Sequence, residues 1–159
     1  MKTLLLGMGN TLLCDDGVGV RLAKDFKERL ANVPELTVVD ECCVGGLNIL
    51  DVMAGYDRVI VIDAIKTAGG LAGTTYHFDA ERLRETEHVA SVHDVNFATA
   101  LELGRKSGMP LPKPEDIHIL AVEVEDNATF SERMSPALEG SYSRYATAVY
   151  AEIQTLLAS

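Results

Sequence analysis

The run Arg58-Val59-Ile60-Val61-Ile62 limits most narrowly what this chain can become. Its unbroken β-branched stretch favours extended backbone. With no polar residue in alternation, such a strand needs cover on both faces, as in a parallel sheet between helices. The residues upstream supply that setting. A short apolar run, Thr3 to Leu6, leads into a glycine-rich loop. Val18, Leu22, Phe26 and Leu30 then recur every four residues, which predicts an amphipathic helix over 17–31. Glu35 to Glu41 reads as a second strand, and Leu47, Leu50 and Met53 as a short helix that Gly55 ends in the left-handed conformation. Two right-handed crossovers follow from this order, and they put the first strand between the second and third.

Downstream, Thr74 to Phe78 reads as a short edge strand open to antiparallel pairing. Ser91 and Asp94 form a capping-box pattern for a helix through Lys106, stopped by Gly108. Ile117 to Val122 is a last buried strand. Ser135-Pro136 starts a helical region, and Tyr142, Tyr145, Val149, Ile153 and Leu156 mark a long closing helix. The 159 residues therefore read as one domain over 1–159, with no repeat or linker. Its class is α/β: a three-layer sandwich with a mainly parallel, twisted five-stranded sheet and helices on both faces.

Composition removes several functions. A net charge of −10 argues against a nucleic-acid or anionic-membrane surface, both of which need clustered Lys and Arg. The longest apolar stretches are far short of a membrane span, and the apolar start of the chain meets glycine and acid too soon for a secretory signal. Three cysteines, two of them adjacent, make no disulfide framework, so a reduced, cytoplasmic chain is expected.

Open α/β sheets place their sites at the carboxyl ends of the strands. Three segments are predicted to meet there: the loop Gly7 to Gly19 after strand one, the turn Cys42 to Gly46 after strand two, and Asp63 ending strand three. Gly7-x-Gly9 resembles the start of a dinucleotide fingerprint, but Leu12 stands where a third glycine belongs, and Asp15 and Asp16 would repel a pyrophosphate. Each acid also has an ordinary reading, one of the pair as a helix cap and Asp63 as a turn residue. His93, in the first turn of its helix, is by itself a surface residue. Together, Asp16, Asp63 and His93 would make an open, oxygen-rich site for a borderline divalent ion such as Ni²⁺ or Zn²⁺, with positions left for water or substrate. His77, His88 and His118 lack paired spacing, and Glu123 and Glu125 either line the same edge or face water. No G-x-S-x-G or H-E-x-x-H occurs.

Gly7-x-Gly9-Asn10-x-Leu12-x-x-Asp15-Asp16-Gly17-x-Gly19 closely resembles the opening motif of the NiFe-hydrogenase maturation proteases. The similarity continues in Gly45-Gly46-Leu47-x-Ile49-Leu50-Asp51, Val61-Ile62-Asp63-Ala64, Ser91-x-His93, Phe130-Ser131 and Met134-Ser135-Pro136, and so spans essentially the whole chain. The resemblance implies an endopeptidase, of aspartic or metal-dependent type, that removes a C-terminal extension from the hydrogenase large-subunit precursor once nickel is in place. It implies Asp16, Asp63 and His93 as the metal-contacting and catalytic set, with nickel brought by the substrate rather than resident. Gly7, Gly9, Asn10 and Asp40 are the expected substrate contacts, and no nucleic acid, membrane or tightly bound organic cofactor is expected. Asp16 is shorter than the glutamate many relatives carry. Asp40-Glu41-Cys42-Cys43 departs from their aspartate followed by Gly-Gly-Thr, so the resemblance names no particular hydrogenase. Either Asp15 or Asp16 suits the general base, and amides of Gly7–Gly9 suit the oxyanion. The alternative is a non-catalytic α/β module that binds a nucleotide or partner through its glycine loop.

Overall fold

The computed structural model describes residues 1–42, 48–80 and 92–159, with the side chains of 92–97 not described. Five strands form one sheet: β1 (Thr3–Met8), β2 (Leu36–Cys42), β3 (Arg58–Ile65), β4 (Thr75–Asp79) and β5 (Ile117–Glu123). Their order is β2-β1-β3-β5-β4. All pairings are parallel except β4 with β5, so the edge strand runs antiparallel and β1 lies between β2 and β3, as the crossover rule requires. The helices are α1 (Val18–Lys27), α2 (Asn48–Met53), α3 (Val92–Lys106), α4 (Pro136–Gly140) and α5 (Tyr142–Ala158).

The β-branched run is covered on both sides. Ile60 and Ile62 join Leu5, Leu120 and Val122 in a core with Val18, Leu22, Phe26, Tyr145, Val149 and Ile153 of α1 and α5. Val59 and Val61 point the other way, into a second core with Leu4, Leu6, Ile117 and Ile119 beneath Ile49, Leu50 and Met53 of α2 and Leu101 of α3. Each fully buried Leu or Ile stabilises the fold by about 1.5–3 kcal/mol. Alternate residues feed alternate cores, which explains the absence of polar positions in the strand.

Local signals hold with two adjustments. Gly55 and Gly108 stop their helices with φ of 85° and 78°, and Ser135 caps α4 by accepting from the Leu138 amide at 3.4 Å. The first helix is regular only to Lys27 and continues as turns to Val33. The closing helical region breaks at Ser141 (φ −102°, ψ 4°), which separates α4 from α5. The Ser91–Asp94 capping pattern and most of the Cys42–Gly46 turn lie outside the described residues.

Candidate active site at the carboxyl edge of the sheet

The chain leaves β1 through Gly9, whose φ is +132°. A Cβ there would lie 1.9 Å from the Asp16 carbonyl oxygen, so the loop closes on its own backbone at this point. A four-residue 3₁₀ turn, Cys14–Gly17, carries both acids into α1. Neither acid caps that helix: Gly17 is its N-cap and no side-chain cap bond forms. At Gly19 an added Cβ would meet the Ile62 carbonyl oxygen at 2.2 Å and that of Met8 at 2.5 Å. The first turn of α1 therefore rests directly on the carboxyl ends of β1 and β3. Asp16, three residues before Gly19, and Asp63, one residue after Ile62, share that edge.

Asp16 is half-buried. Its Oδ2 accepts from the Asn10 amide at 2.7 Å, and Oδ1 has no hydrogen-bond partner among the described residues. Asp63 is also half-buried, and its Oδ1 accepts from the Ala64 amide at 2.8 Å. His93 lies in the first turn of α3, whose side chains are not described there. The segment following α3 sits at the amino edge of the sheet, where Pro110 accepts from Gly55 just before β3. Two carboxylates alone are hard oxygen donors, and an imidazole beside them is what would turn the set toward a borderline divalent ion. Among the described residues no group of three or more His, Cys, Asp or Glu forms a metal-holding cluster, and the His93 side chain is outside that set.

Asp15 sits differently. It is fully buried, and every contact is a donor to it. Ser135 N donates to Oδ1 at 2.6 Å; Glu125 N, Asp126 N and Ser135 Oγ donate to Oδ2 at 3.1, 2.9 and 2.8 Å. With no exposure and both oxygens engaged, Asp15 is closed to substrate, which removes it as a candidate general base. Of the expected substrate contacts, Asn10 is exposed at the loop tip, where its side chain accepts from the Leu12 amide. Gly7 is buried in β1, and a Cβ there would meet Ala23 and the Asp40 carbonyl at 2.6 Å. Close packing within the chain thus accounts for Gly7 and Gly9, whatever binds beyond them. The Asp40 carboxylate pairs with Lys27 Nζ at 3.1 Å, which holds it below the usual carboxylate range.

Three features escaped sequence reading. Glu123 neither lines the edge nor faces water: it is fully buried and accepts from the Thr67 amide and hydroxyl, tying down the excursion after β3. Glu125 is exposed. His77 and His118, unpaired by spacing, meet across β4 and β5 with Nε2 and Nδ1 3.1 Å apart. The Asp126 carboxyl, accepting from the Thr129 hydroxyl and the amides of Thr129 and Ala128, is pulled down to about 2. No local pattern announces the Glu123 and His77–His118 contacts, because each joins residues from different elements, whereas the Asp126 turn is local.

A loop-borne acid beside a strand-end acid, at the carboxyl edge of a mainly parallel sheet, defines an α/β protein with a polar edge site. Residues 20–152 match the family of hydrogenase maturation proteases, and the chain belongs to that family. It is 27% identical over 144 residues to the hydrogenase 2 maturation protease of Escherichia coli K12, covering 87% of each chain. A shorter match, 39% over 64 residues, is to the hydrogenase expression/formation protein HupD of Bradyrhizobium diazoefficiens and covers 40% of this chain and 33% of that one. Among solved structures, the hydrogenase-maturating endopeptidase HybD from E. coli superposes with a TM-score of 0.73 at 25% identity, covering 98% of this chain and 93% of that one. The maturation protease HybD from Thermococcus kodakarensis, at 20% identity, shares the fold with a TM-score of 0.70, covering 95% and 98%. The protein is thus a peptidase of hydrogenase maturation, and the non-catalytic alternative is set aside. Among the described residues no helix is long and apolar enough to cross a membrane.

Proposed function

We propose that this protein removes the C-terminal extension from a nickel-loaded NiFe-hydrogenase large-subunit precursor, with the substrate's nickel as the recognition element. The observation that carries this reading is the contact between the Asp16 turn and the end of β3, which brings two acids to one sheet edge. Nickel held in the precursor would complete its coordination with carboxylate oxygens of Asp16 and Asp63 and the imidazole of His93, donors that suit a borderline ion. Peptide hydrolysis also needs an activated water and stabilisation of the oxyanion. Asp16 is the acid of the pair open to a water, and it serves as the base in this proposal. The amides of Asn10, Leu12, Leu13 and Asp16 are already used within the loop, which leaves oxyanion donation to other positions.

Mass spectrometry of precursor incubated with the protein tests the proposal. Nickel-loaded precursor is expected to lose its C-terminal segment and nickel-free precursor to stay intact, with Asp16→Ala and His93→Ala inactive. If neither form is shortened, or both variants cleave normally, the reading is wrong; equal cleavage of both forms removes nickel as the recognition element.

A further inference from the structure

The turn that carries Asp16 is poorly equipped to hold its own shape. It is a single 3₁₀ turn, with no side-chain cap at its start and Cys14 at φ 50°, a conformation that costs a non-glycine residue about 1 kcal/mol. Its fixation comes from a segment more than 100 residues downstream. Cys14 N donates to Ser131 O at 2.8 Å, Ser131 N to Leu12 O at 2.9 Å, and Asp15 N to Asp126 O at 2.9 Å. The Asp15 side chain completes the set by gathering amides of Glu125, Asp126 and Ser135 and the Ser135 hydroxyl.

Those partners are held independently of Asp15. Asp126 folds its own turn by accepting from Ala128 and Thr129, while Ser135 caps α4. One carboxylate therefore joins the opening loop to two separately anchored pieces of backbone. The chemistry matches: an ionised carboxylate only accepts, with about four lone-pair sites, and here it meets only donors. No Lys or Arg pairs with it among the described residues. A salt bridge would have served the same charge without fixing three backbone positions at once.

We propose that Asp15 is a positioning residue for this peptidase: its buried carboxylate clamps the segment 125–135 onto the opening loop and so fixes the turn that presents Asp16. This rests on the reading of Asp16 as a residue that acts on substrate. Asp15 itself touches no substrate, being fully buried. Catalytic geometry tolerates little displacement, and an error of about 1 Å can cost roughly 100-fold in rate.

Steady-state cleavage of the precursor by wild type, Asp16→Asn, Asp15→Asn and Ser135→Ala, each with its melting curve, tests the clamp. Asn keeps the size of Asp but turns one acceptor into a donor facing the Ser135 amide or the other three donors. Asp15→Asn is expected to lower kcat about tenfold or more while KM stays within about twofold, a split that loss of folded protein alone would give only in step with the melted fraction. Ser135→Ala, which removes one donor, is expected to lower kcat about threefold in the same manner. A folded Asp15→Asn with wild-type kcat overturns the inference. If that variant does not fold, Ser135→Ala decides: a fall in kcat supports the clamp, and unchanged kcat overturns it. Full activity in Asp16→Asn sinks the site reading instead, and the clamp's purpose with it.

Discussion

Asp15 and His118 are both polar groups withdrawn from water beside the same sheet, yet they are satisfied by different materials. Around Asp15 the partners are backbone amides, the Ser135 hydroxyl and, at 3.7 Å, the Cys14 thiol, which burial pushes above its ordinary value. Around His118 the partner is a second imidazole. Its Nδ1 faces His77 Nε2 at 3.1 Å, and His77 in turn lies 3.5 Å from Glu152 of α5. Burial first, then the neighbouring His77 and Arg58, push the His118 imidazole below its ordinary value, with Asp116 and Asp79 opposing. The difference teaches where each region gets its rigidity. The loop that presents Asp16 is held by several donors gathered on one fully buried carboxylate. The contact between the β4–β5 edge and α5 runs through the His77 and Glu152 side chains and lies away from the candidate site.

The largest effect is expected at Asp15. Asp15→Ala strands several buried donors, each costing roughly 1–3 kcal/mol, so a loss of about 3 kcal/mol or more should appear in urea unfolding. A loss below about 1 kcal/mol would break the contrast, since the donors would then have found water. Gly9→Ala comes next. It must place a Cβ 1.9 Å from the Asp16 carbonyl at φ +132°, and about 2 kcal/mol or more of destabilisation is expected. Because the displaced atom belongs to Asp16, cleavage should fall more than stability alone explains.

The pH response of His118 is smaller and has a definite sign. Its folded value lies below the ordinary 6.5, so the unfolded chain binds more protons in that range. Its contribution is complete above about pH 6.5 and is lost as pH falls toward the folded value. Thermal melts between pH 8 and pH 5 should show a falling midpoint, flattened in His118→Asn; an unchanged slope in that variant would remove His118 as the origin. The smallest effect belongs to Glu152→Gln. The Glu152 and His77 side chains are 52% and 35% exposed, and such pairs contribute about 0–1 kcal/mol. A change above about 1 kcal/mol at pH 6 would mean that α5 depends on this contact more than its exposure allows.

Much of this was legible in the chain. Val59 to Ile62 announced a doubly covered strand, and that one property forced helices on both faces. Gly55, Gly108 and Ser135 marked helix ends because their signals lie within a few residues of backbone. The opening motif and Asp63 pointed to the carboxyl edge through the crossover rule alone. The roles of the paired acids were not legible. Asp15 and Asp16 are neighbours of identical chemistry, and which of them is buried depends on Glu125, Asp126 and Ser135, 110 to 120 residues away. The same holds for Glu123, whose partner Thr67 comes from another connection, and for His77 with His118, brought together by an antiparallel pairing that spacing does not reveal.

The sequence by itself determined the layers, the strand order and the edge where acids collect, because hydrophobic period and chain connectivity are local properties with few packed solutions. Only the tertiary structure decided that Asp15 is a buried acceptor and Asp16 a half-buried acid at the rim. The reason is physical: a carboxylate takes its role from the donors around it, and here those donors come from the far end of the chain.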